Sequence, residues 1–161
     1  MKIVLTRKAG RSRMTCHRAD GTSTSADVGP NLPAHDFAHF VVERALRLPT
    51  GFFVNVANGY SIEQLSDPAV IKALGAEPYV AEVLARALGE TTTGACRLDQ
   101  FVDRVAQELE SMRLSVPVGL SSELASRMLE ELRALLTQFE RLRPGESMQL
   151  DFDERSWRLG T

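Results

Sequence analysis

Cysteine is scarce in this chain: Cys16 and Cys96 are the only two, far apart in sequence and without a CxxC pair. That excludes a disulfide framework and a thiolate zinc cage, and both are expected to be reduced packing residues. Long apolar runs are lacking too. No stretch reaches the roughly 18 residues needed to span a bilayer, and Ile3-Val4-Leu5 is too short for the apolar core of a signal peptide. A cytoplasmic protein without a membrane partner is expected. Charge of one sign is also absent: 19 Lys plus Arg against 21 Asp plus Glu leave a net charge of −2. Such a balance provides no field to capture nucleic acid, and no nucleic-acid partner is expected. Lysine itself is almost missing (Lys2, Lys8 and Lys72), and arginine supplies the other basic residues.

What is present is the composition of one globular domain over residues 1–161, 43% hydrophobic and 25% charged. Residues 1–28 predict a three-stranded meander. Lys2-Ile3-Val4-Leu5-Thr6 is β-branched and apolar, Met14 and Cys16 alternate with Arg13, Thr15 and His17, and Asp20-Gly21 predicts a type I′ hairpin turn. After Gly29-Pro30-Asn31-Leu32-Pro33 the region 33–143 reads as helical. Apolar residues on most sides of 34–46 predict a buried central helix. A turn or two is expected at 51–54 before Asn58-Gly59, and a short helix follows the Asp67-Pro68 cap. A further helix spans Pro78 to Leu88, stopped by Gly89, with Thr91 to Gly94 as a loop. The stripes Leu98 to Met112 and Leu124 to Leu142 predict two longer helices, joined through 115–121 as an antiparallel pair.

In the region 146–160, Met148, Leu150 and Phe152 alternate with polar residues as a half-buried strand, which Trp157 and Leu159 extend. Strands at both ends with helices between them predict an α+β fold, a small antiparallel sheet of N- and C-terminal strands packed on a layer of about five helices. Charge is expected to support that pairing. Lys2, Arg7, Lys8, Arg11, Arg13 and Arg18 lie in the first 18 residues without an acid, while Glu146, Asp151, Asp153 and Glu154 surround the last strand. The other use of the basic face is binding an anion.

One segment carries candidate chemistry. His35-Asp36-Phe37-Ala38-His39 places two of the three histidines four apart on a predicted helix, where positions i and i+4 share a face and can converge on one metal ion. His35 and His39 are therefore the candidate metal ligands, and Asp36 is the candidate catalytic base. Glu43 lies about 12 Å from His35 along the axis, too far to complete the site, but it can accept from His39 and fix its tautomer. A third ligand must come from elsewhere. His17, Glu63, Glu82, Asp99, Asp103 and Glu108 all qualify by type, and spacing marks out none of them. A buried, hydrogen-bonded histidine pair accounts for the same residues without a metal.

Other catalytic arrangements are missing. Ser61, Ser121 and Ser122 lack a GxSxG elbow, Gly10, Gly21 and Gly29 form no phosphate loop, and Cys16 and His17 point to opposite faces of a strand.

The HDxxH segment resembles the HExxH motif of zincin metallopeptidases with Asp36 in place of the usual Glu. In that family the residue after the first histidine is the general base toward metal-bound water; Asp36 is one methylene shorter than the family's Glu. Leu32-Pro33-Ala34-His35-Asp36 through Glu43, with Gly51-Phe52-Phe53, Asn58-Gly59 and the hairpin Cys16-His17-Arg18-Ala19-Asp20-Gly21, is similar to a stretch recurring in small bacterial proteins. That likeness covers about the first sixty residues, implies a bacterial source and carries over no reaction. From sequence the favoured function is a non-catalytic binding or regulatory protein with a protein or small-molecule partner and no cofactor, because no complete catalytic constellation can be assembled. The alternative is a mononuclear metal-dependent hydrolase holding zinc or another divalent ion at His35 and His39.

Overall fold

Period-two alternation builds the sheet. The computed structural model describes residues 1–29 and 33–153. Its strands β1 (Lys2–Arg7), β2 (Ser12–His17), β3 (Ser23–Val28) and β4 (Ser147–Asp151) form one antiparallel sheet in the order β3-β2-β1-β4. The C-terminal strand thus returns beside the first strand, as the sequence pattern predicts. Register aligns Cys16, Ile3 and Leu150 in one cross-strand row and Met14, Leu5 and Met148 in the next. All six are buried, so one face of the sheet is an apolar floor. Phe152 continues it, with Met1 and Phe152 exchanging backbone hydrogen bonds at 2.8 Å. Trp157 and Leu159 lie outside the described residues.

The turn between β2 and β3 differs from expectation. Arg18 N–H donates to Thr22 C=O and Gly21 N–H to Arg18 C=O, so Ala19-Asp20-Gly21 is a three-residue loop in which Gly21, at φ +86°, takes the left-handed position. A type I′ turn needs two positive φ values, and Asp20 is not left-handed. Its carboxylate instead accepts from the Thr22 amide and hydroxyl.

The helical layer consists, among the described residues, of α1 (Ala34–Ala45), α2 (Phe52–Ala57), α3 (Pro68–Ala73), α4 (Pro78–Thr93), α5 (Phe101–Ser111) and α6 (Ser122–Glu140), with 3-10 turns at Gln64–Ser66 and Leu98–Gln100. Helix α1 is central, packed on α4, α6 and α2, with Phe37, Ala38, Phe40, Val41 and Val42 buried. Of the apolar stripes predicted over Leu98 to Met112 and Leu124 to Leu142, Phe101, Leu132 and Phe139 are fully buried, whereas Leu135 is only partly so. Helices α5 and α6 touch each other, but α5 packs more closely on α4 and α6 on α1.

Helix α4 runs past the predicted stop at Gly89 to Thr93, with Gly94 as a left-handed cap. Threonine can remain helical where its hydroxyl bonds back to the preceding turn. Thr91, Thr92 and Thr93 do so, to the carbonyls of Ala87, Gly89 and Glu90. Several basic residues of the N-terminal region pair elsewhere than with the last strand. Lys8, Arg11 and Arg13 converge on Asp27 of β3, because β2 pairs Arg13 directly with it. Arg7 donates to the Glu140 and Leu142 carbonyls at the end of α6, and Glu146 accepts from the Arg143 amide. Lys2 and Asp151 stand opposite each other across the β1–β4 ladder. No described helix is long and apolar enough to cross a membrane.

Candidate metal centre

Helix α1 presents two different faces. Its apolar residues enter the core, while His35, His39 and Glu43, four apart, form a stripe toward α4 and α2. The end of α1 then turns the chain back. Arg47 adopts φ +49°, and the amides of Leu48 and Arg47 donate to the Glu43 and Arg44 carbonyls, a Schellman closure. This return brings α2 against the Glu43 carboxylate, which is fully buried. Glu43 accepts from the Phe52 amide at 2.8 Å and the Val54 amide at 3.0 Å, capping α2 from a distant part of the chain.

The same carboxylate accepts from Nδ1 of His39 at 3.0 Å. Glu43 therefore stands behind His39, as the sequence places it, and turns Nε2 outward. From the opposite helix, Pro78 starts α4 and Glu82 follows one turn in, half-buried in an otherwise apolar stretch. One Glu82 oxygen, Oε2, lies 3.1 Å from His39 Nε2 and 3.3 Å from His35 Nε2. The two imidazoles meet edge to face, with centroids 4.7 Å apart. His39 is buried and His35 exposed.

His35, His39 and Glu82 are, among the described residues, a group whose donor atoms can hold one metal ion, all lying within 4.8 Å of one another. The other candidate ligands lie elsewhere. Glu63 and Asp103 are exposed, His17 is exposed on β2, Asp99 pairs with Arg97, and Glu108 pairs with Arg86. Sequence spacing had no means of selecting Glu82, which approaches from 43 residues away. One signal was available: Glu82 is the sole acid in the apolar run Pro78 to Leu88.

The electrostatics follow from this geometry. Burial disfavours charge on His39, but its hydrogen bonds to Glu43 and Glu82 outweigh that and raise its pKa from 6.5 to about 9. Hydrogen bonds from His35 and His39 hold the Glu82 carboxyl well below the usual carboxylate range. Asp36 moves the other way, because burial pushes its carboxyl up against the pull of His35 and His39. No other described residue hydrogen-bonds the Asp36 carboxylate.

His35, Asp36, His39 and Glu82 line one end of an open cavity of about 380 Å³. Gly51, Phe52 and Asn55 from the α2 segment, Leu65, Ile71 of α3, and Pro78 and Tyr79 of α4 complete it. The candidate metal ligands, the candidate base and an apolar pocket thus share one space. Comparison with protein-family models, with curated proteins and with solved structures finds no match to this chain.

Proposed function

We propose that the protein is a mononuclear metal-dependent hydrolase, zincin-like in its HDxxH helix, with His35, His39 and Glu82 holding one zinc or other divalent ion. The observation that carries the reading is the approach of both Nε2 atoms to the same Glu82 oxygen, at 3.1 and 3.3 Å. Ligand atoms about 2.0 to 2.2 Å from a tetrahedral ion stand about 3.4 Å from one another, close to the two distances to Glu82, and the three donor atoms lie within 4.8 Å of one another, so side-chain adjustment would bring them to that spacing. Two histidines and a glutamate are a donor set of catalytic zinc, which leaves the fourth position to water or substrate. Glu43 supports the role by accepting from His39 Nδ1, so that when Nε2 gives up its proton the lone pair it leaves is directed toward the site.

A divalent ion there supplies Lewis acidity and makes water a nucleophile near neutral pH. Asp36 has the part of the proton carrier. It takes a proton from water as the water oxygen bonds to an acyl carbon, and it returns that proton to the leaving group as the acyl bond breaks. Water is consumed, one acid and one alcohol or amine are released, and Asp36 ends as it began.

One observation favours the non-catalytic reading instead: Glu43 and Glu82 between them engage both ring nitrogens of His39. The two readings separate in a hydrolysis assay with chromogenic acyl esters and anilides. Zinc-loaded protein is expected to turn them over, and Asp36→Asn to lower kcat by about 100-fold or more while still binding one ion. Turnover that survives complete chelation contradicts the proposal, and loaded protein without turnover leaves the non-catalytic reading in its place.

A further inference from the structure

The cavity beside the triad has a distinct chemistry. Phe52, Leu65, Ile71 and Tyr79 form an apolar wall, and among the described residues no Lys or Arg lines it. Asn55, only 6% exposed, interrupts this wall. The Thr50 hydroxyl donates to Asn55 Oδ1 at 3.4 Å, and no other described residue bonds the side-chain amide. Its Nδ2 therefore keeps two donor hydrogens without a protein acceptor, on a residue that faces the cavity.

We propose that the cavity binds a small uncharged acyl compound, an amide or ester with an aliphatic or aromatic body, whose carbonyl oxygen accepts from Asn55 Nδ2 while the body lies on Phe52, Leu65, Ile71 and Tyr79. Three considerations select this class. The His39 charge is already paired with Glu43 and Glu82 and no Lys or Arg lines the wall, so a phosphate or carboxylate placed beside Asp36 and Glu82 finds no unpaired cation there and meets repulsion and a desolvation cost. The Asn55 amine has no acceptor among the described residues, and a neutral carbonyl provides one without bringing charge. About 380 Å³ lies near the lower end of the range for small-molecule pockets, too little for a folded segment of another protein. The inference rests on the hydrolase reading for what becomes of the carbonyl, but the binding it describes needs no ion.

The test therefore uses metal-free protein and NMR titration with phenylacetamide, phenyl phosphate and acetamide. Phenylacetamide is expected to shift the Leu65 and Ile71 methyl signals and the Asn55 side-chain amide signals. Phenyl phosphate, with the same ring, and acetamide, with the same amide, should each bind at least about tenfold more weakly. Asn55→Ala is expected to weaken phenylacetamide binding by about two- to tenfold, the worth of one hydrogen bond. Tyr79 is 39% exposed, so Tyr79→Ala keeps the fold and probes the apolar wall if the Asn55 variant does not fold. Phenyl phosphate binding as tightly as phenylacetamide, or phenylacetamide shifts confined to other parts of the molecule, overturns the proposal. A chain that binds phenylacetamide but no zinc defeats the hydrolase reading and keeps the ligand class; zinc without phenylacetamide does the reverse.

Discussion

The Glu43 carboxylate fills the place where a side chain at position 51 would begin: a Cβ on Gly51 would lie 2.4 Å from Glu43 Cδ and 2.7 Å from each carboxylate oxygen. Gly51 has extended backbone, φ 163°, so space and not conformation demands glycine there. Gly51→Ala is expected to destabilise the protein by about 1 to 3 kcal/mol, the usual cost of overpacking. Glu43→Ala should cost more, about 3 to 5 kcal/mol, because His39 and the Phe52 and Val54 amides lose a buried charged partner. Urea unfolding checks both, and a Gly51→Ala midpoint equal to wild type would show that the carboxylate has room to move.

Stability of the metal-free protein should depend on pH in two opposite senses. The pKa of His39 rises on folding from 6.5 to about 9, so its contribution is complete below pH 6.5 and is lost as pH rises through about 9. The Glu82 carboxyl is lowered from 4.5, so its contribution is present above pH 4.5 and is lost as pH falls below that. Thermal unfolding across pH is expected to show the contribution of this pair at its greatest between those limits. Glu82→Gln should lower the His39 pKa measured by NMR; an unchanged value would remove Glu82 from the account.

Burial pushes the Cys16 thiol up to about 12, so the reactive thiolate is nearly absent at neutral pH. Maleimide labelling of the native protein followed by mass spectrometry should leave Cys16 unmodified until urea is added. Rapid native labelling would contradict both its burial and its place as a packing residue between Ile3 and Thr24.

Arg47 occupies a left-handed position that glycine adopts without steric cost. Arg47→Gly is expected to raise stability by up to about 1 kcal/mol, the relief of strain being partly offset by the greater freedom of glycine in the unfolded chain. A loss of stability would mean that the Arg47 side chain contributes more than its backbone costs.

Local rules made much of this architecture legible. Alternation at Met14, Cys16, Met148 and Leu150 identified the sheet face, and the Asp67 cap with Pro68, and Pro78 in the first turn of α4, marked helix starts through adjacent residues alone. Features decided by distant contacts were not legible. The Thr91 to Thr93 turn stays helical on a helix buried against α1, α5 and α6, and Asp27 gathers three cations because of strand register. In the candidate site, His35, His39 and the supporting Glu43 follow from helical period alone. Glu82, Gly51 and Asn55 do not, since each depends on which helix the fold sets against α1.

Direct titration of metal-free, untagged protein with zinc, read by calorimetry and by elemental analysis after dialysis, tests the central claim. One ion per chain is predicted, with His39→Ala and Glu82→Gln each lowering affinity by at least about tenfold and Asp36→Asn retaining the ion. No stoichiometric zinc in wild type, or zinc held equally by the His39 and Glu82 variants, would contradict a metal centre at this triad.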